Sequence, residues 1–432
     1  MEKKTILWKA VCGVVVVALA VLLLSGLLNN HDVRYHKDAL TREELTHTKV
    51  EAPDTLAYDG TISADSWRET FPYIAASMDD NAKNDEIVSY LEQDPYLVNI
   101  HEGYGFAKDY GSARGHAYTL EDVHNTERPH ATANCLTCKT PNFAKLVQDK
   151  GVEVYTYDFD EVWNQIHDMG EVVSCYTCHG NSAGNDGELR VTHTYVNKAL
   201  GSNVQTIDPA TLSCGQCHIE YYFTPADKET MMPYSGVDTM TPEAILEYYD
   251  TMVLPDGSVG FADWTQESTG AKMLKAQHPE METYLQGKHA MDLNCADCHM
   301  EIKLAEDGTV YHSHELVSPL DSPAILESCV RCHGDENMTQ KVHRIQDQIT
   351  ARETEIGNRL SAFKDALAEA NQSGALSEEK LDEVRTVYRH AQWFFDYCYV
   401  ENAEGAHNSQ LANHCLDLAE QKIAEGMALL GK

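Results

Sequence analysis

The sequence predicts a mainly α fold of two textures, a loop-rich body followed by long C-terminal helices, and three observations carry that prediction. Five C-x-x-C pairs lie between residues 135 and 332, in text rich in Gly, Pro, Asn and Asp. That text holds short helical patches and no sustained strand alternation. After residue 337 the character changes to long stretches with apolar residues at helical spacing.

Four of the pairs are followed at once by histidine: Cys175-Tyr176-Thr177-Cys178-His179, Cys214-Gly215-Gln216-Cys217-His218, Cys295-Ala296-Asp297-Cys298-His299 and Cys329-Val330-Arg331-Cys332-His333. Each matches the c-type haem signature, in which two thioethers hold the porphyrin edge and the next residue reaches the iron. The first pair in chain order, Cys135-Leu136-Thr137-Cys138-Lys139, ends in lysine instead. Beside four intact copies it reads as one special haem served by four ordinary ones. Zinc ribbons and redox dithiols also use C-x-x-C, but neither needs the recurring histidine. The body is therefore expected to be a multihaem cytochrome c, with haems in place of much of the protein core.

Taken from the N-terminus, Lys3, Lys4 and Lys9 stand at the start of an apolar run over residues 10–28. A positive n-region and a long apolar h-region export a chain. The length of the run, and the lack of an A-x-A-like site after Leu28, favour an uncleaved signal anchor over a cleaved signal peptide for residues 1–30. Positive-inside then puts the rest outside the cytoplasm, in the periplasm or on the outer face of the cytoplasmic membrane. Residues 31–66 are polar and aperiodic, as a tether would be. The body occupies 67–337, with helical patches expected at 84–93, 241–251 and 267–277. Residues 338–371 carry Ile345, Ile349, Ile356, Leu360, Phe363 and Leu367 at helical spacing, which predicts one long helix. Residues 371–374 break it. A second helix starts after Ser377 and runs through Trp393 and Tyr399, and a third covers 409–430. Residues 338–432 are expected to complete the same domain and to offer a dimer contact, with packing on their own body as the equal alternative.

The formal charge is -35, from 68 acidic and 33 basic residues. So negative a chain is a poor partner for nucleic acid or an anionic membrane, and an anionic substrate would need a local cationic patch. Ten of the thirteen cysteines belong to the pairs. Cys398 and Cys415 are expected as buried free thiols, and Cys12 as an inert membrane residue.

A c-type haem with histidine on both faces transfers electrons but has no position for a substrate. Of the twenty-one histidines, four are placed by the motifs, and His116, His289, His312, His314, His390 and His407 form the shortlist for opposite faces. Lys139 differs in kind. An amine ligates only when deprotonated, and free lysine keeps its proton to pH ~10.4. Ferric iron and burial can displace that proton, leaving a donor without the second N–H of an imidazole. The alternative is a degenerate motif with another ligand. Two stretches weigh against it. Glu220, Tyr221 and Tyr222 follow the third motif histidine, and Lys275, Gln277, His278 and Glu280 crowd into one short segment. Glu220 and Gln277 with backbone carbonyls suit an all-oxygen calcium site.

The lysine-ended first site, the string CGQCHIEYYF at 214–223 and the string LKAQHPE at 274–280 together resemble the pentahaem cytochrome c nitrite reductases that form ammonia. The likeness runs over residues 88–420. It includes Arg114-Gly115-His116, the 122–128 segment, and Arg389-His390-Ala391-Gln392-Trp393. The resemblance implies five covalent haems, one calcium ion, and six-electron reduction of nitrite to ammonium at the lysine-ligated haem. It implies an active site of Arg128, Tyr221 and His278, with His278 protonated to hold the anion and pass on protons. The loop from Arg128 to Cys135 is shorter than the family's, which leaves Arg114 as the alternative arginine. Calcium would take Glu220, the carbonyls of Tyr221 and Lys275, and the side chain of Gln277. Opposite the motif histidines it implies His314 for the second site, His116 for the third, His407 for the fourth and His289 for the fifth. A homodimer and a membrane quinol-oxidising cytochrome as donor are also implied. Rival readings are a plain electron carrier and a related hydroxylamine or sulfite reductase.

Overall fold

The computed structural model describes residues 63–432, apart from 131, 168–169 and 181–186. The expected signal anchor, Cys12 and the tether up to residue 62 lie outside those residues. Among the described residues no helix is long and apolar enough to cross a membrane.

The body is built of short helices, several of them begun by a side-chain cap. Its labelled helices are α1 (Tyr96–Ile100), α2 (Thr119–Asn125), α3 (Phe159–Ile166), α4 (Pro209–Gly215), α5 (Pro242–Thr251) and α6 (Glu280–Leu285). Asp158, Asp208 and Thr241 cap α3, α4 and α5, each accepting a first-turn N–H. Proline at the first position of α4 and α5 gives up an N–H that would be unpaired there anyway. Helix α5 is the patch expected at 241–251.

The other two patches differ from expectation. In 84–93 only Tyr90–Gln93 is helical, because Ser89 bridges to Gly111 and the Val88 N–H donates to Ser112 Oγ at 2.9 Å. Those backbone groups are committed to a neighbouring segment before a helix can claim them. The 267–277 patch is a hairpin, β3 (Trp264–Thr265) against β4 (Lys272–Met273), turned at Gly270 with φ 72. It is the second of three antiparallel two-stranded ribbons, with β1 (Tyr222–Phe223) and β2 (Thr230–Met231) before it and β5 (Ile302–Leu304) and β6 (Val310–His312) after.

The C-terminal helices follow the sequence closely. Helix α7 (Met338–Ser373) starts at the Asn337 cap and stops at Gly374, which takes the left-handed conformation a C-terminal glycine suits. Helices α8 (Glu378–Tyr399) and α9 (Ser409–Leu429) are capped by Ser377 and Asn408. One core joins these helices to the body: Ile356, Leu360 and Phe363 of α7, Trp393 and Phe395 of α8, and Leu416 of α9 pack with Leu97, Ile100, Tyr249 and Met273. Each such side chain contributes roughly 1.5–3 kcal/mol when buried, so the apolar stripe of α7 is used on its own body. Gly357 permits that approach, since a Cβ there would lie 2.3 Å from Tyr96 Cε2. A second, smaller core of Leu136, Phe143, Phe159, Val162 and Ile166 holds the first attachment motif. Cys398 and Cys415 are buried and unpaired, as expected.

Candidate active site and attachment sites

Two of the motifs are single helical turns. Cys175–His179 starts at Ser174, whose N–H donates to Thr177 Oγ1, and Cys295–His299 starts at Asn294, which shares a reciprocal capping box with Asp297. Helical spacing of three and four residues sets both cysteines and the histidine on one face. The third motif overlaps the end of α4, the fifth ends the helix Pro323–His333, and the first lies on the 3-10 turn Ala133–Leu136. None of the ten motif cysteines forms a disulfide.

Four histidine pairs face one another. Ring centroids are 6.3 Å apart for His179 and His314, and 6.1 Å for His116 with His218, His299 with His407, and His289 with His333. Two metal–imidazole bonds of about 2.0–2.1 Å plus two ring radii come to roughly 6 Å, so each gap fits one iron. His179, His299 and His314 turn Nδ1 to backbone carbonyls at 3.0 Å, which leaves Nε2 as the nitrogen without a protein bond. Of the two shortlisted histidines outside these pairs, His390 binds Asp250 at 2.7 Å, and the carbonyl of His312 receives the Nδ1 of His314.

The cysteines also show which attachment sites are neighbours. Cys138 and Cys217 are within hydrogen-bond reach, and so are Cys214 and Cys295. Cys329 lies close enough to Cys298 to raise its thiol, after burial and Asp297. Spatial order is therefore first, third, fourth, fifth. The second site stands beside the third, with Cys178 in electrostatic reach of Cys214 and Cys217. Sequence reasoning missed His193, whose ring has donor atoms within 4.8 Å of Cys138 and Cys217 and whose buried Nε2 has no partner among the described residues. No spacing rule points to it, because only the fold brings the first and third motifs together.

Among the described residues the first site has no facing histidine of this kind. The Lys139 amine makes no hydrogen bond or ion pair among the described residues, although its carbonyl accepts from Thr119 Oγ1 of α2 at 3.1 Å. An ammonium left half-buried without an acceptor suits a nitrogen meant for a metal. His278 lies within electrostatic reach of Lys139, His218, Lys275 and Arg128. Burial first, then those cations, hold its imidazole well below the usual histidine range. That direction favours a neutral imidazole while the site is empty. Burial pushes the Tyr221 phenol up, with Cys138, Cys135 and Glu220 adding to the rise, so it stays a donor.

Arg128 and Arg114 sit differently. Arg114 is spent on Asp122, with Nη2 at 2.6 Å, and lies over the Tyr118 ring. Arg128 lies 4.3 Å from the Phe106 ring centre, and it acts electrostatically on Tyr221, His278, Tyr104 and Lys275. Its Nε donates to Thr126 Oγ1 at 3.0 Å. Thr126 Oγ1 and the Glu127 N–H both donate to Asp109, at 2.5 and 2.9 Å. Asp109 thus anchors the short loop that presents the guanidinium, a role no motif signalled.

Behind this wall Glu220 is fully buried, its carboxylate accepting Tyr249 Oη at 2.7 Å and the Gln277 N–H at 2.6 Å. Burial pushes it well above the carboxylate range. Gln277 turns its side-chain amide to the Lys275 carbonyl, 2.9 Å away. A half-turn of that amide aims its oxygen the same way, and with Glu220 and the Tyr221 carbonyl the donor set is all oxygen. A divalent cation fits that set and would offset the cost of a buried carboxylate.

Fold and sites together define a multihaem c-type cytochrome, with covalent attachment motifs wrapped in a mainly α chain. The chain belongs to the cytochrome c552 family, which matches residues 63–432. It resembles the solved cytochrome c nitrite reductase of Desulfovibrio desulfuricans ATCC 27774, described for two calcium sites in its catalytic subunit. Identity is 28%, 87% of each chain is covered, and the TM-score is 0.77. More remote are the outer cell wall cytochrome OcwA (18% identity, 71% of this chain and 48% of that one, TM-score 0.38) and an undecahaem S-layer cytochrome of Carboxydothermus ferrireducens (15%, 74% and 42%, TM-score 0.38). Neither adds to the argument. Family and fold make this chain an oxidoreductase.

Proposed function

We propose that the chain reduces nitrite to ammonium at the Lys139 site, fed by four bis-histidine haems, with one calcium ion behind the substrate pocket. The observation that carries this reading is an asymmetry. Four attachment sites have a second histidine opposite the first, whereas Lys139 has Arg128, Tyr221 and His278 in its surroundings. Where the carriers are closed by imidazole, this site keeps groups that can hold an anion.

The haem, when bound, would offer an iron for the nitrogen of nitrite and a path for six electrons. Arg128 would hold an oxygen of the anion by charge-assisted hydrogen bonds. His278, neutral in the empty site, would gain a proton as the anion arrives, because a negative charge beside it favours the imidazolium. It then lies ready to release that proton to a departing oxygen, with the Tyr221 hydroxyl as a second donor. Eight protons in all must reach the site. Calcium at Glu220, Tyr221, Lys275 and Gln277 would tie together the two segments that carry Tyr221 and His278.

Export to the periplasm or outer membrane face, anchoring by residues 1–30, a membrane quinol-oxidising cytochrome as donor and a homodimer belong to the same proposal. Their support is the lysine-flanked apolar N-terminus and the family likeness. The test is holoprotein with a reduced viologen as donor. Stoichiometric ammonium from nitrite is expected, and its absence would refute the proposal. Lys139→His should keep five haems and lose most of the turnover, with an unchanged kcat counting against lysine as the tuning ligand.

A further inference from the structure

The eight paired histidines differ in what their outer nitrogen meets. His179, His299 and His314 donate Nδ1–H to the carbonyls of Glu188, Val317 and His312. His333 Nδ1 lies 3.3 Å from the Lys341 ammonium, and the exposed Glu336, 3.7 Å away, is itself paired to Lys341. The Nδ1 of His116 has no partner among the described residues. His407 instead points Nδ1 at the carboxylate of Glu401. Glu401 is 4% exposed, and no lysine or arginine pairs with it among the described residues. Its remaining bonds are from the N–H groups of Ala403 at 3.3 Å and Gly405 at 3.4 Å, and its charged surroundings include the acids Glu280, Glu353 and Glu404.

We propose that Glu401 sets the potential of the His299–His407 haem and makes it the hardest of the four bis-histidine sites to reduce. A carboxylate accepting Nδ1–H pulls the proton outward and leaves more electron density on the nitrogen that faces the metal. Stronger donation and a buried negative charge both favour ferric over ferrous iron, which differ by one positive charge. Backbone carbonyls do the same more weakly, and Lys341 beside His333 acts in the opposite direction. Reduction here adds one electron and makes or breaks no bond.

Position gives the effect a purpose. The fourth site stands between the third and fifth, since Cys295 is in reach of Cys214 and Cys298 lies near Cys329. A high step in mid-relay lets electrons gather on either side of it, so that the substrate end and the entry end fill separately. Glu401 is thus a positioning and tuning residue, remote from substrate.

The inference rests on the reading that His299 and His407 share one iron, so the test separates the two. Holoprotein carrying Glu401→Gln, with five haems verified by mass, is titrated spectropotentiometrically beside the unaltered protein. Glutamine keeps the size and the acceptor but removes the charge. The lowest low-spin component should become about tenfold easier to reduce, about 59 mV for one electron, while the others hold still. Unmoved potentials, or an equal shift of every component, overturn the proposal. If the glutamine variant does not fold, Glu401→Asp carries the measurement, with a smaller shift in the same direction expected and no shift counting against. His407→Ala tests the pairing itself: loss of one bis-histidine low-spin signal upholds it, and an unchanged spectrum removes the ground for any role of Glu401.

Discussion

At the scale of single residues, the proton held by His278 decides how the proposed site would treat an anion. Its imidazole is held well below the ordinary range by burial, then by Lys139, His218, Lys275 and Arg128. Nitrite binding would raise that value, so binding and protonation are linked and each strengthens the other. The sign follows: affinity is greatest at low pH and falls as pH rises above the free-site value, by up to about tenfold per pH unit. Steady-state KM for nitrite between pH 6 and 8 should show that slope, and His278→Asn should flatten it and lose turnover while keeping the haem spectrum. A variant with the original pH profile would end the proton-delivery role. At this scale the motifs made Lys139 legible, and the family resemblance the facing-pair partners. Asp109, His193 and Glu401 were not, since each acts through a contact with residues distant in sequence or through one turn of loop geometry.

At the scale of elements, helix α7 shows how a regular pattern and a single exception work together. Its apolar repeat told where the helix runs and which face it buries. It could not tell what that face meets, and the answer is α1 with Tyr96 laid across Gly357. Gly357→Ala puts two effects in opposition. Helix propensity gains about 1 kcal/mol, whereas a buried Cβ forced against a ring costs about 1–3 kcal/mol. Because the clash is 2.3 Å and Tyr96 is buried, the loss should win, by up to about 2 kcal/mol. A lowered Tm with unchanged haem spectrum is the expected result, and a raised Tm would mean that the helix can shift away from α1. The two body patches that were not helical make the same point in reverse. Ser89 and the 264–273 hairpin gave their backbone groups to other segments, a choice local propensity does not contain.

At the scale of the whole molecule, the protein core and the cofactors share the work of filling the interior. One large core joins the long helices to the body, and a small one sits under the first motif. Beside them stand the four histidine pairs, with the cysteine contacts in spatial order first, third, fourth, fifth. Metal analysis of the purified protein should therefore give five irons and one calcium per chain. Removing calcium with a chelator should leave the irons in place and depress nitrite turnover, as the buried Glu220 loses the cation that keeps its carboxylate ionised and takes up a proton. Full activity in calcium-free protein would overturn the proposed cation site. With a formal charge of -35 the molecule repels anions at long range. The local cations Arg128 and Lys275 must then work against the field of the whole.

The sequence by itself determined the attachment chemistry, the odd first site and the long helices, because each of these is a short-range pattern: a motif five residues long or a repeat near every fourth residue. The tertiary structure decided the rest. It chose Arg128 for the cluster with Tyr221 and His278 and gave Arg114 to Asp122. It seated the first motif beside the third and, of the paired histidines described, put a buried carboxylate on His407 alone. All of these depend on which distant segments share space and how deeply charges are buried, and burial is a property of the folded chain.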